Sequence, residues 1–188
     1  MAFGRMKTLA AFLFFALVST TSLAGTESMH LIQPKGSTLK VVVVQRGTDL
    51  SARFSGRTWV HGTFVARWPN GAANKNYDSP DYLLIPDHAS IARLPYFYLR
   101  EPPYFNRYRV REIEIENGAE ALLIVAGQQR ARKLLDRKKD RVEVVGAFLI
   151  SGYSVGVECD ASWARAKLEK ANIPSKTASL PIQVPESC

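Results

Sequence analysis

Histidine and cysteine are scarce in this chain, with three and two residues among 188. His30, His61 and His88 lack the spacing that brings three or four ligands onto one metal ion. There is no Cys-x-x-Cys to form a redox or metal-binding pair. Ser90 lies near His88 and Asp87, but the members of a catalytic triad converge from separate elements. Glu112, Glu114 and Glu116 recur at every second position, the spacing of a solvated strand face rather than of an acid–base pair. No catalytic residue, metal or cofactor is therefore expected, and the chain does not read as an enzyme. Low-complexity tracts are missing too, and beyond the N-terminus no apolar run is long enough to cross a bilayer.

The N-terminus carries a specific pattern. Arg5 and Lys7 precede the apolar run Leu9 to Val18, and Ser22 and Ala24 supply small residues before Gly25. That layout predicts a secretory signal peptide over 1–24, cut after Ala24, because the apolar run is too short to remain as a span. The expected address is periplasmic or secreted. Removing Arg5 and Lys7 lowers Lys+Arg from 25 to 23 against 17 Asp+Glu, so the exported chain carries a net charge of about +6. A basic exported protein meets anionic envelope polymers, lipid headgroups or acidic proteins before it meets nucleic acid, which is not an expected partner. In an oxidising compartment Cys159 and Cys188 are most simply read as one disulfide, stapling a tail, 173–188, to the end of the last strand. What lies between is enough for one core, hence one domain over 39–172, preceded by a flexible arm at 25–38.

Within that domain the periodicities are mostly those of strands. Lys40 to Gln45 holds four consecutive valines, whose unbroken apolarity predicts a strand buried on both faces. Thr48 to Arg53 reads as a single helical turn. Arg57 to Trp68 is a long strand, with Val60, Gly62, Phe64 and Ala66 turned inward and Trp59, His61, Thr63 and Val65 outward. A polar loop follows over 70–81, then a short strand at 82–85 and a short helix capped by Asp87. Arg109 to Glu116 is an amphipathic strand, and Asn117-Gly118 favours a hairpin returning over 120–125, with a helix from Ala119 as the rival. Residues 128–139 read as a basic helix with Ala131, Leu134 and Leu135 as its apolar face, and 160–170 as a final short helix. Arg141 to Cys159 is one long kinked strand or two joined by a bend.

That last stretch echoes the first long strand. Arg57, Val60, Gly62, Phe64 and Val65 recur at the same offsets as Arg141, Val144, Gly146, Phe148 and Leu149. Two strands with an internal Gly suggest bends that help close a small barrel. The order of elements from Gly56 to Cys159, with the Gly62 and Gly146 strands and a helix between the third and fourth strands, resembles the OB-fold. The chain also resembles small secreted bacterial proteins of this build. The resemblance implies a mainly β chain, a β-rich α+β arrangement forming an OB-like barrel with one or two short helices.

One stretch stands apart in composition. Residues 95–109 crowd Tyr96, Tyr98, Tyr104 and Phe105 among Arg100 and Arg107, around Pro102-Pro103. Flat π faces beside guanidinium forks hold sugar rings or anionic polymers, and OB-like barrels bind oligosaccharides and oligonucleotides. These six residues are the candidate ligand surface, unless the rings simply pack over one end of the barrel. The functional expectation is an exported, non-catalytic, monomeric binding protein for an anionic envelope glycan or peptide. Its alternatives are an inhibitor or subunit that binds another envelope protein and, last, a small hydrolase.

Overall fold

A computed structural model describes residues 29–46, 49–69, 79–101, 104–108, 110–136, 141–158 and 161–174, with backbone alone for 99–101 and 104–108. The stretch 1–24 expected as a signal peptide, residues 70–78, both cysteines with their expected disulfide, and the tail from 175 onward lie outside these residues. In chain order the elements are β1 (Met29–Ile32), β2 (Lys40–Gln45), β3 (Leu50–Ser55), β4 (Arg57–Arg67), β5 (Asp81–Pro86), α1 (His88–Ile91), β6 (Tyr96–Glu101) and β7 (Tyr104–Tyr108). Then come β8 (Ile113–Ile115), α2 (Gly118–Asp136), β9 (Arg141–Glu158) and β10 (Ala161–Asn172). The described chain is thus mainly β, with two helices. One sheet has the order β1-β6-β7 and the other β10-β8-β5-β4-β9-β3-β2, with a further pairing of β10 to β9.

The two strands that echo each other in sequence are neighbours in space. β4 and β9 run antiparallel from Arg57 opposite Ser151 to Arg67 opposite Arg141, and the two glycines meet, Gly62 opposite Gly146. Gly62 has to be Gly: a Cβ there would sit 2.1 Å from the Ile85 carbonyl oxygen, where β5 crosses closest. β9 is 18 residues long because it serves two partners in succession, β4 up to Ser151 and β3 from Ser154. Gly152, with φ of 60°, sits at the handover, a backbone conformation that other residues enter at a cost.

Alternation does the packing. Val60, Phe64 and Ala66 of β4, Leu84 of β5, Ile113 and Ile115 of β8, Phe148 and Ile150 of β9, and Ala164, Ala166 and Leu168 of β10 all turn into one core. Phe64 and Phe148 approach at 6.3 Å between ring centroids. Burying each such large side chain is worth about 1.5–3 kcal/mol. α2 lays Ala121, Leu122, Val125, Ala131 and Leu134 against the same core. The small sheet docks through Leu94 and Phe97, which join the cluster that holds Phe54 and Tyr153.

Several local expectations gave way to long-range pairing. Asn117-Gly118 does not turn a hairpin; it opens α2, and the stretch read as a return strand is helix. Asn117 Nδ2 donates to the Leu168 carbonyl and Leu168 N–H donates to Asn117 Oδ1, both at 2.9 Å, so a side chain stands in for a ladder pair with β10. The Gly118 position lies against the Tyr82 ring, where a side chain would collide. α2 therefore starts ahead of the expected basic helix and is not short, and it kinks at Gly127; Ala131 and Leu134 are buried as read, whereas Leu135 is exposed. The final helix expected at 160–170 is instead strand β10. There Ala164, Ala166 and Leu168 go in while Arg165 and Lys167 stay out, so period two and pairing with β9 override the helix propensity of Ala, Lys and Glu. The turn expected at 48–53 gives way to β3, whose Leu50, Ala52 and Phe54 are inward. Met29–Ile32, inside the stretch read as an arm, is a strand paired with β6. The valine strand β2 is exposed along its length rather than buried, because it lies at the edge of its sheet. Val65, on the outward parity, is buried.

Candidate functional site

The aromatic–basic stretch forms a hairpin, and its register sorts the candidate residues. β6 and β7 pair Tyr98 with Arg107, Arg100 with Phe105, and Glu101 with Tyr104. On its other edge β6 pairs Tyr96 with Ile32 and Tyr98 with His30. Directly opposed residues share a face of a sheet. Tyr96, Tyr98, Arg100, Phe105 and Arg107 therefore occupy register positions of one parity, and His30 joins them in a row His30–Tyr98–Arg107 across the three strands. Tyr104 has the opposite parity, with Phe97 and Glu101. Phe97 is 1% exposed, so its parity is the one that packs inward, while Tyr96 and Tyr98 are half-buried and His30 is exposed. Five of the six candidates thus fall together and Tyr104 does not.

The base of this sheet is anchored to the main one. Tyr153 is fully buried on β9, and its hydroxyl donates to the Pro95 carbonyl at 2.9 Å, one residue before β6. Burial pushes that phenol far above the ordinary tyrosine range, so it stays a donor. α1 is fixed just upstream. The Ser90 amide donates to Asp87 Oδ1 at 2.7 Å, and this bond, ahead of all other influences, holds the Asp87 carboxyl below the usual aspartate value. The Ser90 hydroxyl accepts from the His61 amide at 2.9 Å, so Asp87, Ser90 and His61 form a backbone latch and not a nucleophilic triad. His61 and Asp87 do line a shallow cavity of about 430 Å³ beside Gly146 and Asn172.

A larger groove, of about 900 Å³, crosses β5, β8 and β10. Asp81, Glu112, Glu114 and Glu116 outnumber Arg67 and Arg111 along it, which suits a neutral or cationic occupant better than an anion. Trp163 lines it as well, and its ring is engaged by two neighbours. The indole lies over Gly156, where a Cβ would be 2.3 Å from it, and the Arg165 guanidinium carbon stands 5.1 Å from the ring centroid. Arg165 Nε also donates to Glu114 at 2.9 Å, closing a ladder of Gly156, Trp163, Arg165 and Glu114 across the strands. The spacing of Glu112, Glu114 and Glu116 had announced an exposed face, as found, but nothing in the sequence placed Trp163 on Gly156.

On α2, Arg130, Arg132 and Lys133 are exposed, Arg132 and Lys133 on the face away from Ala131 and Leu134. Among the described residues no group of three His, Cys, Asp or Glu is placed to hold a metal ion, and no helix is long and apolar enough to cross a membrane. No protein-family model, curated protein or solved structure matches this chain.

Proposed function

We propose that this chain is an exported, non-catalytic binding protein whose three-stranded sheet β1-β6-β7 takes an extended anionic polymer, an acidic glycan of the cell envelope. The observation that carries this is the register. It gathers Tyr96, Tyr98, Arg100, Phe105 and Arg107, scattered over twelve positions of sequence, onto the parity opposite buried Phe97, and adds His30 to the row. Aromatic and arginine residues at register positions of one parity suit a polymer that presents sugar faces and carboxylates or sulfates in turn.

The support for this surface is, in the same proposal, an OB-like barrel. What favours it is the pairing order: β4 with β5, β5 with β8, β8 in parallel with β10, β10 with β9, and β9 with β4. α2 lies between the third and fourth of these strands in chain order, the place of the helix in that fold. β8 is the narrow point, pairing over two residues on each side. Export through the 1–24 segment and a Cys159–Cys188 disulfide complete the picture; N-terminal sequencing of the exported protein should begin at Gly25, and its mass should be two hydrogens below that of the reduced chain.

The test is retention of the exported protein on an immobilised acidic polysaccharide under a salt gradient. Wild type should bind at low salt and elute as salt screens the contact. A Tyr98→Ala, Arg100→Ala, Arg107→Ala variant should pass through, while Tyr104→Ala, from the other parity, should elute with wild type. A wild type that flows through at low salt, or a triple variant that binds unchanged, would sink the proposal.

A further inference from the structure

β2 stands at the outer edge of the seven-stranded sheet and, among the described residues, pairs with β3 alone. Its four valines are open to solvent on both sides of the strand: Val41 is 40% exposed, Val42 61%, Val43 41% and Val44 40%. Edge strands normally carry a proline or a charge in mid-strand to stop other chains from adding to them; between Lys40 and Gln45 this one has neither.

The register says what fits there. Val41 lies opposite Phe54 and Val44 opposite Ala52, both core residues, while Lys40, Val43 and Gln45 lie opposite Ser55, Arg53 and Ser51 on the outer side. Between Val41 and Val43 the register slips by one residue. Val42 is the extra residue of this bulge, and the two residues that together oppose Arg53, Val42 and Val43, share its outer side. From Lys40 to Gln45 the sides then run out, in, out, out, in, out, the same in both directions. A regular strand alternates and never has this symmetry over six residues.

We propose that β2 is the contact of a homodimer, in which two copies pair antiparallel, edge to edge, about a two-fold axis perpendicular to the sheet. Val42 faces the second copy's Val43, Val41 faces its Val44, and Lys40 faces its Gln45. Every pair joins residues on the same side, as an antiparallel ladder requires, and no like charges meet. Sliding the register by one residue sets Val41 against Val43, on opposite sides. Parallel pairing in register stacks Lys40 on Lys40. The bulge, which ordinarily blunts an edge, is here what makes the strand self-complementary. Six residues a side form a small contact, so the dimer is a concentration-dependent one. The inference departs from the monomer expected from sequence and is independent of the polymer site, which lies on the other sheet.

Sedimentation equilibrium on the full exported chain, from micromolar to millimolar, tests it. The expected result is a weight-average mass that climbs from that of one chain towards two. Val43→Lys and Val42→Glu should each stay monomeric over the same range; both positions are exposed, and thermal melts equal to wild type would confirm folding. An equimolar mixture of the two variants should associate again, because only this register sets the introduced carboxylate opposite the introduced ammonium. A wild type that stays monomeric overturns the dimer, and so does a dimer that both variants leave intact. A mixture that fails to associate overturns the register. Amide protection of β2 that is the same at every concentration would mean that another segment of the chain, not a second copy, covers the edge.

Discussion

Tyr153→Phe is the sharpest perturbation of the link between the two sheets. The substitution keeps the ring, and with it the 5.6 Å contact to Phe54, and removes only the hydroxyl that donates to Pro95 O in a fully buried setting. The Pro95 carbonyl is then left in the core without that donor. A buried hydrogen bond is worth about 0.5–1.5 kcal/mol net, and orphaning its acceptor costs about 1–3 kcal/mol, so a loss of about 1.5 kcal/mol is expected. With a urea slope of about 2 kcal/mol/M, the unfolding midpoint should fall by about 0.7 M with the slope unchanged. Because Pro95 leads directly into β6, hydrogen exchange in β1 and β6 should quicken more than in β4. A midpoint within about 0.2 M of wild type would mean that this bond does not hold the small sheet to the large one.

Two further outcomes follow from side chains that replace backbone pairing. Asn117→Ala removes both bonds to Leu168 and should cost about 2 kcal/mol, with faster exchange of the Leu168 amide; unchanged exchange there would refute the latch. Asp87→Ala removes the α1 cap and should cost about 0.5–1 kcal/mol at neutral pH, the low end of capping effects because the carboxylate stands in water. The folded-state carboxyl is held below its unfolded value, so its stabilisation is present above the ordinary aspartate range and is lost as pH falls through the lowered value. The gap between wild type and Asp87→Ala should therefore close on acidification below about pH 3.9. A gap independent of pH in urea titrations would contradict the charge-assisted cap.

What was legible in the sequence was whatever depends on neighbours within a few residues or on a strong repeat. The alternation of Val60, Phe64 and Ala66, the long strand through Gly146, and the cap at Asp87 are of this kind. The repeat of Arg, Val, Gly and Phe also pointed to two strands bent alike, though not to their lying side by side with Gly62 on Gly146. Where the reading failed, distant partners decided. Asn117-Gly118 has the local chemistry of a hairpin turn, but Leu168, 51 residues on, takes the Asn side chain and the chain enters a helix. Residues 160–170 have helix-forming composition, and β9 makes them a strand. Unbroken valine in β2 carries no mark that separates a buried strand from an exposed edge, since both are apolar on each side. His30 was read into an arm because its partner, Tyr98, lies 68 residues away and no local pattern signals it. The aromatic–basic cluster was visible as composition alone; only the register divides Tyr104 from the rest.

The most direct test of the central claim is an amide ¹H–¹⁵N titration of the protein with an acidic oligosaccharide at low and at high salt. The account predicts salt-sensitive shifts concentrated in 30–32, 96–101 and 104–108, with β2 and the carboxylate-lined groove of β5, β8 and β10 unmoved. Shifts centred on that groove, or no shifts at low salt, would contradict it.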